Sequence, residues 1–356
     1  QKKMLEIDGS TLEGGGQILR IAVALSCLCR IPIKVIKIRL GRSKPGLAAQ
    51  HIQCIELCRS LCKGRTMGAH IGSTEVEFHP QSIIGGRHSG DTKTAGSIAL
   101  MFQAALPVAL FSSSPVELSL RGGTNADMAP QIDYVTEVVR PNFEKFGATF
   151  EYELLRRGYF PKGGGHCVFS VRPVEKLKPV VNVDAGQVVK AYGWSFVAGT
   201  LPLRLAEQMA EGARRAMSKI SLEVEEYKES ASMAPDNCSG VVLCCQSSTG
   251  CLLGGSALGN RKEEPAETGR KAAREIKDSL ALGACVDEHM QDQLIILMAL
   301  ADGESRVRTG AVTLHTRTAI HVAELMTKAT FTLIPEGDNT IIVCQGIGLK
   351  NFHSLI

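Results

Sequence analysis

Three consecutive glycines between an acid and an apolar run are the most chemically suggestive stretch of this chain. Residues Glu13-Gly14-Gly15-Gly16-Gln17-Ile18-Leu19-Arg20 put a carboxylate before the glycines and a guanidinium one turn inside a helix predicted over 17–29. Backbone without Cβ lets an anion come close, and the free N–H groups of a helix start point at it. An acid, backbone donors and an arginine fork together suit a phosphate that carries a divalent metal. A capped glycine turn would have the same composition, so the other motifs must decide.

The second cluster is Arg39-Leu40-Gly41-Arg42-Ser43-Lys44-Pro45-Gly46, between a predicted strand and a predicted helix. Its three cations sit on a loop whose shape is fixed by glycine and proline, and arginine can hold phosphate by two parallel hydrogen bonds. Gln50 and His51 follow in the first turn of the next helix. Two further glycine turns carry polar residues: Arg121-Gly122-Gly123-Thr124-Asn125, leading to Pro130 at a helix start, and Arg157 to Gly165 between two strands. Helix capping and hairpin geometry alone could account for these two. The fifth cluster, Val312 to His321, begins as a strand and becomes helical at about Thr316, which sets His315 at a strand-to-helix junction. A neutral imidazole is a competent nucleophile near neutral pH, and helix-terminal N–H groups keep it uncharged. His321, on the inward side of an amphipathic helix, reads as structural.

These clusters are held by a repeated unit: a helix of small apolar residues, a strand, an amphipathic helix and two strands. The copies are predicted over 17–29, 33–39, 48–61, 65–71 and 75–78; over 95–105, 116–120, 131–146, 149–155 and 165–171; and over 287–301, 306–313, 319–328, 330–334 and 340–345. Repetition of a supersecondary unit is hard to produce by accident. Residues 181–282 separate the second and third copies and have their own strand–helix alternation, as an inserted domain would.

The 356 residues, 44% apolar and 21% charged, describe a globular chain with room for two domains. The longest apolar run, 97–111, is too short for a membrane span, and no secretory pattern opens the chain. Gln1 is not a natural start, so a trimmed N-terminus is expected. Twelve cysteines without a Cys-x-x-Cys pair point to a reducing compartment rather than zinc or disulfide exchange, and Cys54, Cys58 and Cys62 form one buried helical stripe. Residues 1–66 carry twelve Lys/Arg against four Asp/Glu, a local balance of +8 that suits a polyanion, although a solvated basic face would look the same.

Taken together the motifs resemble the RNA 3′-terminal phosphate cyclase family. E-G-G-G-Q-I-L-R (13–20), R-x-G-R-x-x-P-G-L (39–47), T-A-G-S (94–97), G-G-T-N-A-x-M-A-P-Q-I-D-Y (122–134), R-G-Y-F-P-K-G-G-G (157–165), D-Q-L-I (292–295) and H-T-x-T-A-I-H (315–321) match in order across most of the chain, nearest to the eukaryotic catalytic members. The resemblance implies an α/β fold of three repeated βαβαββ units around a pseudo-three-fold axis, with a smaller inserted α/β domain. Residues 1–182 and 283–356 would form the large catalytic domain and 183–282 the insertion. Each unit would begin one strand earlier than the pattern above, with 5–8 as the missing strand of the first.

The resemblance also implies an ATP-dependent ligase chemistry. His315 would attack the α-phosphorus of ATP and become a histidine–AMP. The AMP would pass to an RNA 3′-phosphate, and the neighbouring 2′-hydroxyl would close on that phosphorus to leave a 2′,3′-cyclic phosphodiester. DNA ends, lacking that hydroxyl, would be activated but not cyclised. Carried over by position, Gln103, Pro130, His289, Asp292 and Gln293 would line the ATP site, Glu13 would hold Mg²⁺ or Mn²⁺, and Arg20, Arg39, Arg42 and Gln50 would grip RNA and nucleotide phosphates. The family usually has Tyr where this chain has His289, which puts the nucleoside contact there in question. RNA 3′-phosphate ends are the expected partner, with no membrane, no obligate protein partner, and a nuclear location by analogy with eukaryotic relatives. A ribosome-assembly relative of the same fold lacks the nucleophilic histidine and is the alternative. Enolpyruvyl transferases, also built of such units, need twice as many as this chain has.

Overall fold

A computed structural model describes residues 2–355; Gln1 lies outside them. Three of its four sheets are built alike. The first orders its strands Leu5–Asp8, Ile33–Ile36, Val76–His79, Arg65–Met67. The second runs Gly86–Asp91, Val116–Gly122, Gly165–Val171, Glu151–Arg156, and the third Val181–Asn182, Glu304–Thr309, Asn339–Gln345, Thr330–Glu336. In each, the first pair is parallel and the other two pairs antiparallel. A parallel pair needs a long crossover, whereas antiparallel neighbours can be joined by a short turn. In the first two sheets the helices Gly16–Cys29 and Ile98–Ala109 lie between the parallel strands and the final pair closes as a hairpin. The expected strand over 5–8 is present with those bounds, and Gly86–Asp91 and Val181–Asn182 are its counterparts.

In the third sheet Val181–Asn182 pairs with Glu304–Thr309, far away in sequence. The fourth sheet lies between them in the chain, ordered Leu222–Lys228, Val188–Ala198, Cys238–Ser247, Leu252–Leu258, with helices Leu203–Ala216 and Pro265–Leu282 packed on it. It has its own apolar cluster, including Met209, Leu243 and Ile276, separate from the main core. That main core is built on Gly16–Cys29, Ile98–Ala109 and Glu288–Leu300, helices buried on most of their surface. A helix that is apolar all round must be enclosed, and the apolar sequences of Gly16–Cys29 and Ile98–Ala109 meet that requirement. Cys54 and Cys58 are buried on helix Ala49–Leu61, with Cys62 just past its end, and all twelve cysteines are free thiols. Among the described residues, no helix is long and apolar enough to cross a membrane.

Several expected boundaries move for identifiable reasons. The strand expected over 33–39 stops at Ile36 because Lys37 and Arg39 adopt positive φ and turn the chain. The helix expected over 95–105 begins at Ile98, where Ser97 Oγ caps it by accepting from the Leu100 N–H at 3.2 Å. The helix expected over 131–146 passes through a π-turn, Val135–Val139, just before Pro141. That proline lacks the N–H an α-helix would direct at residue 137. The strand expected to reach residue 313 ends at Thr309, and the next helix starts at Leu314, before the expected Thr316. His315 therefore sits in the first helical turn instead of at a strand-to-helix junction. The cause is Thr313, whose Oγ1 accepts from the Thr316 N–H at 3.1 Å and so nucleates the helix early.

Candidate active site

The glycine mouth is shaped by crowding as much as by freedom. Gly14 has φ +67°, which favours glycine, but Gly15 and Gly16 are needed for space. A Cβ on Gly16 would lie 2.7 Å from Arg20 Nη1 and 2.8 Å from His51 Nε2, and one on Gly15 would meet Arg42 Nη2 at 2.6 Å. Two arginines and an imidazole thus converge on one helix N-terminus. His51 is buried, and its Nδ1 accepts the Ala48 N–H at 3.0 Å, which leaves Nε2 as the protonated nitrogen of a neutral ring. Burial, then Arg20 and Arg39, depress its pKa to about 3. The sequence placed His51 beside Gln50 without assigning it a role.

Glu13 lies across the mouth. One carboxylate oxygen accepts the Gly15 N–H at 2.7 Å and the other pairs with Arg42. Its backbone N–H donates to Thr318 Oγ1 at 3.2 Å, and that hydroxyl donates to the Leu314 carbonyl at 2.8 Å. The glycine loop is thereby tied to the helix that carries His315. Arg39 Nη1 donates to the carbonyls of Lys44 and Gly46, at 3.1 and 2.8 Å, so part of this guanidinium supports its own loop. Gln50 Oε1 accepts the Ser97 N–H at 3.0 Å and holds the start of helix Ile98–Ala109.

Beside the mouth opens a cleft of about 740 Å³. His315, Gln103, Pro130, His289, Asp292, Gln293 and Arg20 all line it, together with Gln17. Glu13, Arg39, Arg42 and Gln50 do not line it; they stand at the adjoining glycine and arginine loops. Gln17 Nε2 donates to Asp292 Oδ2 at 2.9 Å, and Gln17 Oε1 accepts from Arg20 Nη2 at 3.2 Å. Burial raises the Asp292 carboxyl above its ordinary value, against the opposing pull of His315 and Arg20. Arg20 Nε is buried without a hydrogen-bond partner, an uncompensated donor beside the anion-shaped mouth. His315 itself is exposed. Pro130 stands one residue ahead of the capping Gln131 instead of within the first turn.

Much of the opposite wall was invisible in the sequence. Gly255 to Leu258 and the helix face bearing Lys271, Arg274, Glu275 and Asp278 contribute it. His289 Nε2 pairs with Glu275 and lies 3.6 Å from Glu288 Oε1, and Glu275 Oε1 accepts the Ser256 N–H at 2.9 Å. The bond to Glu275 pushes the His289 pKa up to about 9. Among the described residues these three form the group whose atoms are close enough to share a metal ion, but the ion pair already satisfies them. Asp287, which the sequence predicts as the first residue of its helix, caps helix Glu288–Leu300, and its carboxylate accepts from Tyr134 Oη and the Gly254 N–H at 2.7 and 2.8 Å. Arg157, read from the sequence as part of a glycine turn between two strands, is buried. It forks onto Asp133 at 2.8 and 2.9 Å and reaches Glu229 at 2.8 Å, joining the 122–134 loop to the fourth sheet's surroundings.

The arrangement offers an exposed imidazole and a half-buried carboxylate lining one cleft of nucleotide size, with a cationic helix mouth next to it. Known proteins are similar to this chain along most of its length. Residues 11–333 match the family described as RNA 3′-terminal phosphate cyclase. A protein of that name from Drosophila melanogaster is 41% identical over 355 residues, covering 98% of this chain and 98% of the relative. One from Pyrobaculum aerophilum is 39% identical over 345 residues, covering 97% and 99%. A "Probable RNA 3′-terminal phosphate cyclase" from Dictyostelium discoideum is 38% identical over 369 aligned positions, covering 98% and 84%. With agreement spanning nearly the whole chain, this protein belongs to the RNA 3′-terminal phosphate cyclase family.

Proposed function

We propose that this chain is an ATP-dependent ligase that converts an RNA 3′-terminal phosphate into a 2′,3′-cyclic phosphodiester, with His315 as the nucleophile. His315 attacks the α-phosphorus of ATP and pyrophosphate leaves. The 3′-phosphate of RNA displaces the histidine from AMP, and the adjacent 2′-hydroxyl then attacks the 3′-phosphorus and expels AMP. Nucleophilic catalysis divides one difficult displacement into steps with good leaving groups, and adjacency of the 2′-hydroxyl supplies proximity. The observation that carries the reading is the meeting of His315 with Gln103, Pro130, His289, Asp292, Gln293 and Arg20 around one cleft.

In this reading the cleft residues hold the nucleotide, while Arg20, Arg39, Arg42 and Gln50 at the adjoining mouth and loops serve the phosphates. Glu13 would hold Mg²⁺ or Mn²⁺: it brings a single carboxylate, enough for an ion that takes its other ligands from substrate phosphates and water. The ion would neutralise phosphate charge, and Arg42 would have to release Glu13 to admit it. The chain's own groups orient His315 and keep Asp292 in the same cleft. Three sheets with one strand order favour three βαβαββ units about a pseudo-three-fold axis. The separate apolar cluster favours 183–282 as a domain inserted between 1–182 and 283–356. A nuclear location follows from the eukaryotic relatives only as part of this proposal.

Incubation with ATP labelled at the α-phosphate and Mg²⁺ should leave an acid-labile, base-stable label on the protein that His315→Ala abolishes. An unlabelled parent would instead support the non-catalytic, ribosome-assembly reading.

A further inference from the structure

One buried side chain grips the turn that carries His315 and has no role in the chemistry above. Gln291, 2% exposed on helix Glu288–Leu300, makes three hydrogen bonds to the segment just ahead of and within the first turn of helix Leu314–Met326. Its Nε2 donates to the Ala311 carbonyl at 3.2 Å. Its Oε1 accepts the Thr313 N–H at 3.2 Å and the Thr316 hydroxyl at 3.1 Å. Thr313 is the helix cap and Thr316 is fully buried, so the bonded groups bracket His315 on both sides. Asp292 follows Gln291 in the chain, about 100° further round the same helix, and lines the cleft that His315 also lines.

We propose that Gln291 is the positioning residue for His315, acting through the backbone of its turn. The inference rests on the histidine reading above and deepens it. A helix start is otherwise free to fray, and the cap bond between Thr313 and Thr316 fixes only its local shape. Gln291 fixes that shape to the rigid, enclosed helix that also holds Asp292, so nucleophile and carboxylate keep one relative geometry. An in-line displacement is sensitive to such geometry: misplacement by about 1 Å can cost about 100-fold in rate.

Three proteins test it: the parent, Gln291→Leu, which keeps volume but loses all three bonds, and Gln291→Glu. Single-turnover labelling by ATP carrying a labelled α-phosphate should be slowed about 100-fold in Gln291→Leu, with half-saturation by ATP within about threefold of the parent. A protonated glutamic acid can reproduce the amide's pattern, its hydroxyl donating and its carbonyl accepting, whereas the carboxylate cannot donate to Ala311. The rate of Gln291→Glu relative to the parent should therefore rise as pH falls, a recovery that merely structural damage would not show. Side-chain NMR of His315, assigned by its loss in His315→Ala, should shift or broaden in Gln291→Leu with no substrate present. Labelling of Gln291→Leu within threefold of the parent, or unchanged His315 signals, overturns the positioning role. Should Gln291→Leu fail to fold, a Gln291→Glu to parent ratio that is flat with pH overturns it. A parent that takes no label defeats the nucleophile reading instead, and the NMR comparison still decides whether Gln291 holds the turn.

Discussion

Replacing Arg157 by methionine takes the cation out of a cluster the fold has largely removed from water. The Arg157 side chain is 5% exposed, against 23% for Asp133 and 11% for Glu229. Burial works against the guanidinium charge, but the fork onto Asp133 outweighs it and raises the pKa. Asn125 Oδ1 accepts from Nη1 at 3.2 Å, and the Phe196 ring lies 5.8 Å away. Removing one partner of a buried pair costs about 3–5 kcal/mol, because the opposite charge stays behind unpaired. Both carboxylates keep some water, so the lower end applies, about 3 kcal/mol. With an unfolding entropy of roughly 2.1 cal/mol/K per residue, that lowers Tm by about 4 °C. Urea unfolding followed by Trp194, the one tryptophan, on strand Val188–Ala198, reads the loss directly. Adding Asp133→Asn and Glu229→Gln to Arg157→Met removes the stranded charges and should restore more than half of the lost stability. A loss below about 1 kcal/mol at an unchanged denaturant slope, or a triple variant less stable than the single one, would refute the argument that stranded charge sets the cost.

Two further outcomes follow from shifted histidines. His51 has a folded pKa near 3, below its ordinary 6.5, so the unfolded chain binds the extra proton and stability falls as pH drops from about 6.5 toward 3. His51→Gln should flatten that acid limb in a Tm-against-pH series, and an unchanged limb would show that the ring is not buried neutral. His289 is raised to about 9, so its pairing contributes below pH 6.5 and is lost as pH rises through 9. Glu275→Gln should bring the His289 midpoint in an NMR titration back toward 6.5; a midpoint still near 9 would assign the shift to another group.

The strand pattern and the glycine motifs were legible because their causes are local. Period-two burial marks Gly165–Val171, and a small-residue stripe marks Gly16–Cys29. The strands Gly86–Asp91 and Val181–Asn182 were missed, since the first reads Gly-Arg-His-Ser-Gly-Asp, with little apolar signal, and the second has two residues. Both exist because a neighbouring strand supplies parallel partners.

For the site, the division is equally physical. Capping, φ preference and side-chain periodicity act over a few residues, so the sequence by itself determined that a glycine mouth, an arginine loop and a histidine at a helix start would each exist. Only tertiary packing decided that Gln17 reaches Asp292 from 275 residues away, that Glu13 is tied to Thr318, that Glu275 bonds His289, and that Arg157 lies buried between two carboxylates. Distances between residues far apart in the chain depend on how enclosed helices and sheets pack, and no local propensity encodes them.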